Sequence, residues 1–69
     1  MSSQTVEEIK QLYNEVFDEN GDIKLCGRNT CKQLMIALNS IFKTVDFGDL
    51  DSGFLNVDVV KEYVNRLIS

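Results

Sequence analysis

Apolar residues recur with the period of an α-helix in three separate stretches of this 69-residue chain. In each stretch they fall on one side of the helix and polar residues on the other, a pattern typical of helices that share a core. The stripes predict a first helix over residues 5–17 and a third over residues 57–68. The second helix is predicted to begin with Asn29 or Thr30 as its N-cap residue. Its apolar stripe consists of Cys31, Leu34, Met35, Leu38, Ile41 and Phe42.

Two acidic segments that contain glycine, residues 18–22 and 46–53, separate the helical stripes and predict loops. Each is followed by a short apolar piece, and these pieces, residues 23–25 and 54–55, can pair as a minimal two-stranded antiparallel bridge. We therefore expect an all-α or mainly α-helical fold, a small three-helix bundle in a single domain that spans residues 1–69.

Charge is segregated along the sequence. Residues 1–22 carry six acids and one base, residues 23–43 carry four bases and no acid, and residues 44–69 carry five acids and two bases. The basic block coincides with the second helix and its approach, so it places cations on one part of an otherwise acidic molecule. Four cations neutralise few phosphates and the remaining acids repel a nucleic-acid backbone, which disfavours nucleic acid as a partner.

The residue types that are missing exclude several kinds of chemistry. Without histidine the chain has no Ser-His-Asp or Cys-His arrangement, and two cysteines cannot supply four thiolates to zinc. We therefore expect no catalysis, no metal and no cofactor. Cys26 and Cys31 are interpreted as free, packed thiols, with an oxidation-formed bridge between them as the alternative. No charged start precedes an apolar run and no stretch approaches the about 20 apolar residues of a membrane span, so we expect a cytoplasmic protein without membrane contact.

The entry to the second helix is a candidate anion-binding site. Free backbone amides, the positive end of the helix dipole and nearby cations together could hold a phosphate or a carboxylate. The alternative interpretation is that these cations only offset the acids of the flanking segments. The candidate residues are Gly27, Arg28, Asn29 and Thr30.

The outer face of the second helix is a candidate surface for binding another protein. At 100° per residue Ile36 falls opposite the apolar stripe, where neighbouring cations would surround it. An apolar contact inside a cationic rim suits a protein partner. The candidate residues are Lys24, Arg28, Lys32, Ile36, Asn39 and Lys43.

The segment Phe17-Asp18-Glu19-Asn20-Gly21-Asp22-Ile23 resembles the opening of an EF-hand loop, with Asp18, Asn20 and Asp22 at the alternating ligand positions. The resemblance implies calcium binding, but the twelfth position, where that family has a bidentate glutamate, is Asn29. Counting twelve from Asp49 in the second loop likewise reaches Val60.

Residues 5–10, 37–42 and 57–64 resemble helical segments of acyl carrier proteins, which are short and acidic. That family carries phosphopantetheine on the serine of an Asp-Ser-Leu motif at the start of its second helix. This chain has Arg28-Asn29-Thr30-Cys31 there, so the resemblance implies a similar fold more than the same chemistry.

Together these observations predict a non-catalytic protein–protein interaction module, an adaptor or a small inhibitor that acts on a larger protein through the outer face of the second helix. The alternative is a ligand-binding module, either degenerate EF-hand-like or acyl-carrier-like without the usual site residues. The opposite charges of the blocks could also drive homo-oligomer formation.

Overall fold

A computed structural model provides the structure and describes residues 3–25 and 27–68. The fold is mainly helical, as predicted. It contains the helices α1 (Ser3–Val16), α2 (Arg28–Ile41) and α3 (Val57–Ile68), and a two-stranded antiparallel sheet of β1 (Gly48–Asp49) and β2 (Phe54–Leu55) between α2 and α3. No helix in the described part of the chain is long and apolar enough to cross a membrane.

The three helices surround one apolar core because each turns its stripe inward. Packing this stripe removes apolar surface from water, and that burial is the main source of stability in a domain of this size. The buried residues are Ile9, Leu12, Val16, Phe17, Leu34, Met35, Leu38, Phe47, Leu55, Val60 and Val64. All but Phe47 and Leu55 lie in or directly beside a helix that the sequence predicts.

The predicted pairing of residues 23–25 with residues 54–55 is wrong. In β2, Phe54 pairs instead with Asp49 and Leu55 with Gly48, while Ile23 forms an isolated bridge with Phe17. Each loop therefore folds back on its own neighbouring segment, which closes a short loop and costs less chain entropy than pairing two distant segments.

Gly48 shows why the second loop can close in this way. Its φ of +143° lies in the region that favours glycine, and a Cβ there would collide with the Phe54 carbonyl oxygen and lie 2.9 Å from Met35 Sδ. The absent side chain lets β1 approach both Phe54 in β2 and Met35 in α2 closely.

The helix ends differ from the predictions at three places. Helix α1 begins at Ser3, ahead of the predicted start, and ends at Val16, one residue before the predicted end. Helix α2 begins at Arg28 with Gly27 as its N-cap residue. The prediction of Asn29 or Thr30 as the N-cap was therefore wrong, since both lie in the first turn. Helix α3 has its predicted bounds.

Candidate functional site

The four residues of the predicted anion site are consecutive and lie at the start of α2. Gly27 is extended, with φ −67° and ψ 152°, and makes no side-chain capping hydrogen bond. The Thr30 amide donates to the Gly27 carbonyl oxygen at 3.1 Å, so one of the amides of the first turn is already used. Arg28 lies exposed with its aliphatic stem against Gly53. Anion binding by these residues stays a prediction.

Lys24 has a contact with α1 that the sequence did not indicate. Its Nζ donates to the Asn14 carbonyl oxygen at 2.7 Å. That carbonyl belongs to the last turn of α1. In a longer helix it would accept from the amide of Asp18, but this amide donates to the Asp22 carbonyl oxygen instead. The Lys24 ammonium therefore caps the C-terminal end of α1. Its contact is with α1, unlike the cations Arg28 and Lys32, which belong to α2.

Three predicted residues of α2, which we call the α2 ridge, follow one another along its outer side: Lys32, Ile36 and Asn39. Ile36 is exposed, and Lys32 and Asn39 are half-buried. Spacings of three and four residues make them neighbours on the helix. The Ile36 side chain is 57% exposed, as predicted, and α2 contains no acidic residue. Lys43 follows the end of α2 at Ile41 and lies in a turn, not at the helical position that the sequence predicts for it.

A cleft of about 290 Å³ runs beside the α2 ridge, between α2 and the first half of α1. Ile36 forms part of its wall, so the cleft adds recessed surface next to an exposed apolar side chain. The lining residues are Thr5, Glu8, Gln33, Ile36, Ala37 and Ser40.

A second and more apolar depression, which the sequence did not predict, lies where the two loops meet the start of α2. We call it the loop-end groove. It measures about 330 Å³ and is lined by Ile23, Cys31, Gly53, Phe54, Leu55 and Val57. Phe54 is 71% exposed and Ile23 is 52% exposed, whereas Leu55 is buried.

The exposure of Phe54 is explained by the register of the small sheet. Residues directly opposite each other in an antiparallel pair share a face, so Phe54 shares its face with Asp49 and Leu55 shares its face with Gly48. Leu55 packs into the core and Phe54 faces outward. Alternation along residues 54–55 could have indicated that one of the two is exposed, but only the strand partner decides which one.

The acids of the loops serve as hydrogen-bond acceptors for backbone amides. Asp18 Oδ1 accepts from the amides of Asn20 and Asp22, each at 2.9 Å. In the second loop Asp46 Oδ1 accepts from Gly48 and Asp49 Oδ1 accepts from Asp51. These contacts stabilise turns. Within residues 3–25 and 27–68, no three acidic or cysteine side chains come together as a metal-binding group.

Cys31 is half-buried and lines the loop-end groove. Cys26 lies outside the described residues, and so does the predicted alternative of a Cys26–Cys31 bridge.

Comparisons of the chain with protein-family models, with curated proteins and with solved structures found no match.

Proposed function

We propose that this protein is a non-catalytic binding module that attaches to an acidic segment of a larger protein through the α2 ridge. The observation that carries the proposal is the 57% exposure of Ile36 on a helix that has cations and no acid. An isoleucine in this position offers an apolar anchor, and Lys32 one turn earlier offers a charge that selects an acidic partner.

The cleft beside the ridge supports the same proposal. An apolar side chain of the partner that entered it would contact Ile36 and Ala37 on α2, while Glu8 on the α1 wall would keep the acidic side chains of the partner on the Lys32 side of the ridge. Binding residues usually cluster where an apolar anchor meets a recess that excludes water. A chain of 7.8 kDa that binds in this way would act as an adaptor or as a small inhibitor that covers part of its target.

The proposed compartment is the cytoplasm, where a reducing environment would keep cysteine side chains as thiols. Measuring the redox state of the cysteines in extracts prepared with a thiol-blocking reagent tests this part of the proposal.

The proposed function is tested by comparing three forms of the immobilised protein in lysate of the source organism. The forms are the wild type, the ridge variant K32E/I36D and the groove variant F54S, with captured proteins quantified by mass spectrometry. The captured amount of a specific partner should be at least about tenfold lower with the ridge variant than with the wild type, and should be unchanged with the groove variant. It should then bind purified wild type in isothermal calorimetry, more weakly at high salt because screening weakens the attraction between opposite charges.

Circular dichroism and melting curves of both variants provide the folding control, since Ile36 and Phe54 are exposed and their replacement should leave the core intact. Undiminished binding of the purified partner to a folded ridge variant would contradict the proposal.

A further inference from the structure

The loop-end groove exposes more apolar surface than the folded chain needs. Ile23 and Phe54 line it and are mostly exposed, whereas Leu55, which also lines it, is buried in the core. Clustered apolar side chains in an open recess, surrounded by polar residues, mark a surface that is covered in the functional state. The groove is lined by loop and strand residues together with Cys31 of α2 and Val57 of α3. No residue of the α2 ridge lines it, so a role for the groove does not rest on the proposed function.

Charges of both signs border this groove. The stem of Arg28 packs against Gly53, which lines the groove, and Asp49 stands directly across the small sheet from Phe54 on the same face. Among the described residues the ion pairs are Lys10–Glu7 and Arg66–Glu62, so neither Arg28 nor Asp49 has an opposite charge within 4.0 Å in that part of the chain.

We propose that the loop-end groove is the interface of a two-fold symmetric homodimer. A two-fold contact requires a patch that complements itself, because both copies present the same residues and every contact occurs twice. An axis that passes between Arg28 and Asp49 brings Arg28 of one copy against Asp49 of the other, in two equivalent ion pairs. Between these pairs the two Phe54 side chains and the two Ile23 side chains cover each other.

The presence of both a positive and a negative side chain beside the groove favours a second copy over other binding partners. An anionic membrane or a nucleic acid would be attracted by Arg28 but repelled by Asp49, which borders the same groove. A purely apolar ligand would leave both charges without a partner. A second copy satisfies both charges, and the small area of such a groove predicts weak, concentration-dependent association.

Sedimentation velocity of the wild type tests the proposal over a range from about 10 µM to about 1 mM, which brackets weak dimers. The weight-average mass should rise from 7.8 kDa toward twice that value. The variant F54S should stay monomeric throughout the range. The variant I36S, which removes another exposed apolar side chain outside the groove, should associate like the wild type.

Charge exchange provides a sharper test, because the two charges are proposed to meet only across the interface. The single variants R28D and D49R should each weaken association about tenfold, and the double variant R28D/D49R should regain most of it. All variants are checked for helicity and melting temperature at low concentration, where the chain is monomeric.

A wild type that remains monomeric at the highest concentration overturns the proposal, as does association that survives in a folded F54S. Equal loss in I36S would move the interface to the ridge and would also overturn it. If instead the wild type stays monomeric and F54S loses a captured partner in lysate, the groove binds a different protein and the homodimer is excluded. None of these results decides whether the ridge binds its own partner, since K32E/I36D tests that separately.

Discussion

Phe47 and Tyr63 meet edge to face, with ring centroids 5.6 Å apart and ring planes at 88°. Phe47 belongs to the second loop but is only 1% exposed, and Tyr63 lies in α3. Phe42, at the end of α2, contacts both rings, with centroids 6.2 Å from Phe47 and 4.8 Å from Tyr63. Aromatic edge-to-face pairs add to the stabilisation from burial alone, so this cluster attaches the loop to both helices.

Replacing Phe47 with leucine should lower the free energy of unfolding by about 1 to 2 kcal/mol, and replacing it with alanine by about 3 kcal/mol, because a cavity would remain in the core. The matched control is F54A, which removes the same ring from an exposed position and should change stability by less than about 0.5 kcal/mol. Urea unfolding followed by circular dichroism at low concentration measures all three. Similar losses for Phe47 and Phe54 would contradict their different burial.

The variant G48A should be destabilised by about 2 kcal/mol or more, because its φ of +143° disfavours any side chain and a Cβ would collide with the Phe54 carbonyl. The control G27A adds the same methyl group at a φ of −67°, where the nearest atom is 4.0 Å away, and should cost about 0.5 to 1 kcal/mol, because alanine is a poorer N-cap residue than glycine. Melting temperatures of the two variants give the comparison. A neutral G48A would show that the backbone at Gly48 does not approach Phe54 and Met35 this closely.

Asp18 offers a test of what the loop acids do. The variant D18A removes an oxygen that accepts from two backbone amides and should lower the free energy of unfolding by about 1 to 2 kcal/mol. The variant D18N keeps an acceptor oxygen at the same position and should lose less than half as much. Thermal unfolding at neutral pH distinguishes them, and equal losses would indicate that the negative charge matters more than the hydrogen bonds.

Calcium should leave the melting temperature of the wild type unchanged. Asp18 is engaged with backbone amides, and Asn29 occupies the position where an EF-hand has its bidentate glutamate. A ligand that binds only the native state must raise the melting temperature, so a rise that saturates with calcium would restore the EF-hand-like alternative.

Lys24 should stabilise α1 through its contact with the Asn14 carbonyl. The variant K24M keeps most of the aliphatic stem and removes the charge, and should cost about 0.5 kcal/mol at low salt. Because salt screens exposed charges, the difference from wild type should shrink as ionic strength rises. The control K43M changes a cation in a turn and should have a smaller effect. Equal effects would mean that the Asn14 contact contributes nothing measurable.

Local patterns along the chain were sufficient to predict the three helices and the outward position of Ile36. The apolar stripe of α2 places Leu34, Met35 and Leu38 on one face, and Ile36 must then fall on the opposite face, whatever packs against the stripe. The bounds of α3 were predicted correctly because the sequence around it contains no competing start or stop signal.

The strand pairing and the burial of the apolar residues in the loops were decided by the tertiary structure. A two-residue strand has too few positions to specify a partner, so the pairing of β2 with β1 and the outward position of Phe54 depended on where the loop could close. The burial of Phe47 depended on the space between α2 and α3, which no local pattern describes. The loop-end groove arises from these choices, so its residues, distant in sequence, could be recognised as one surface only after the helices had packed.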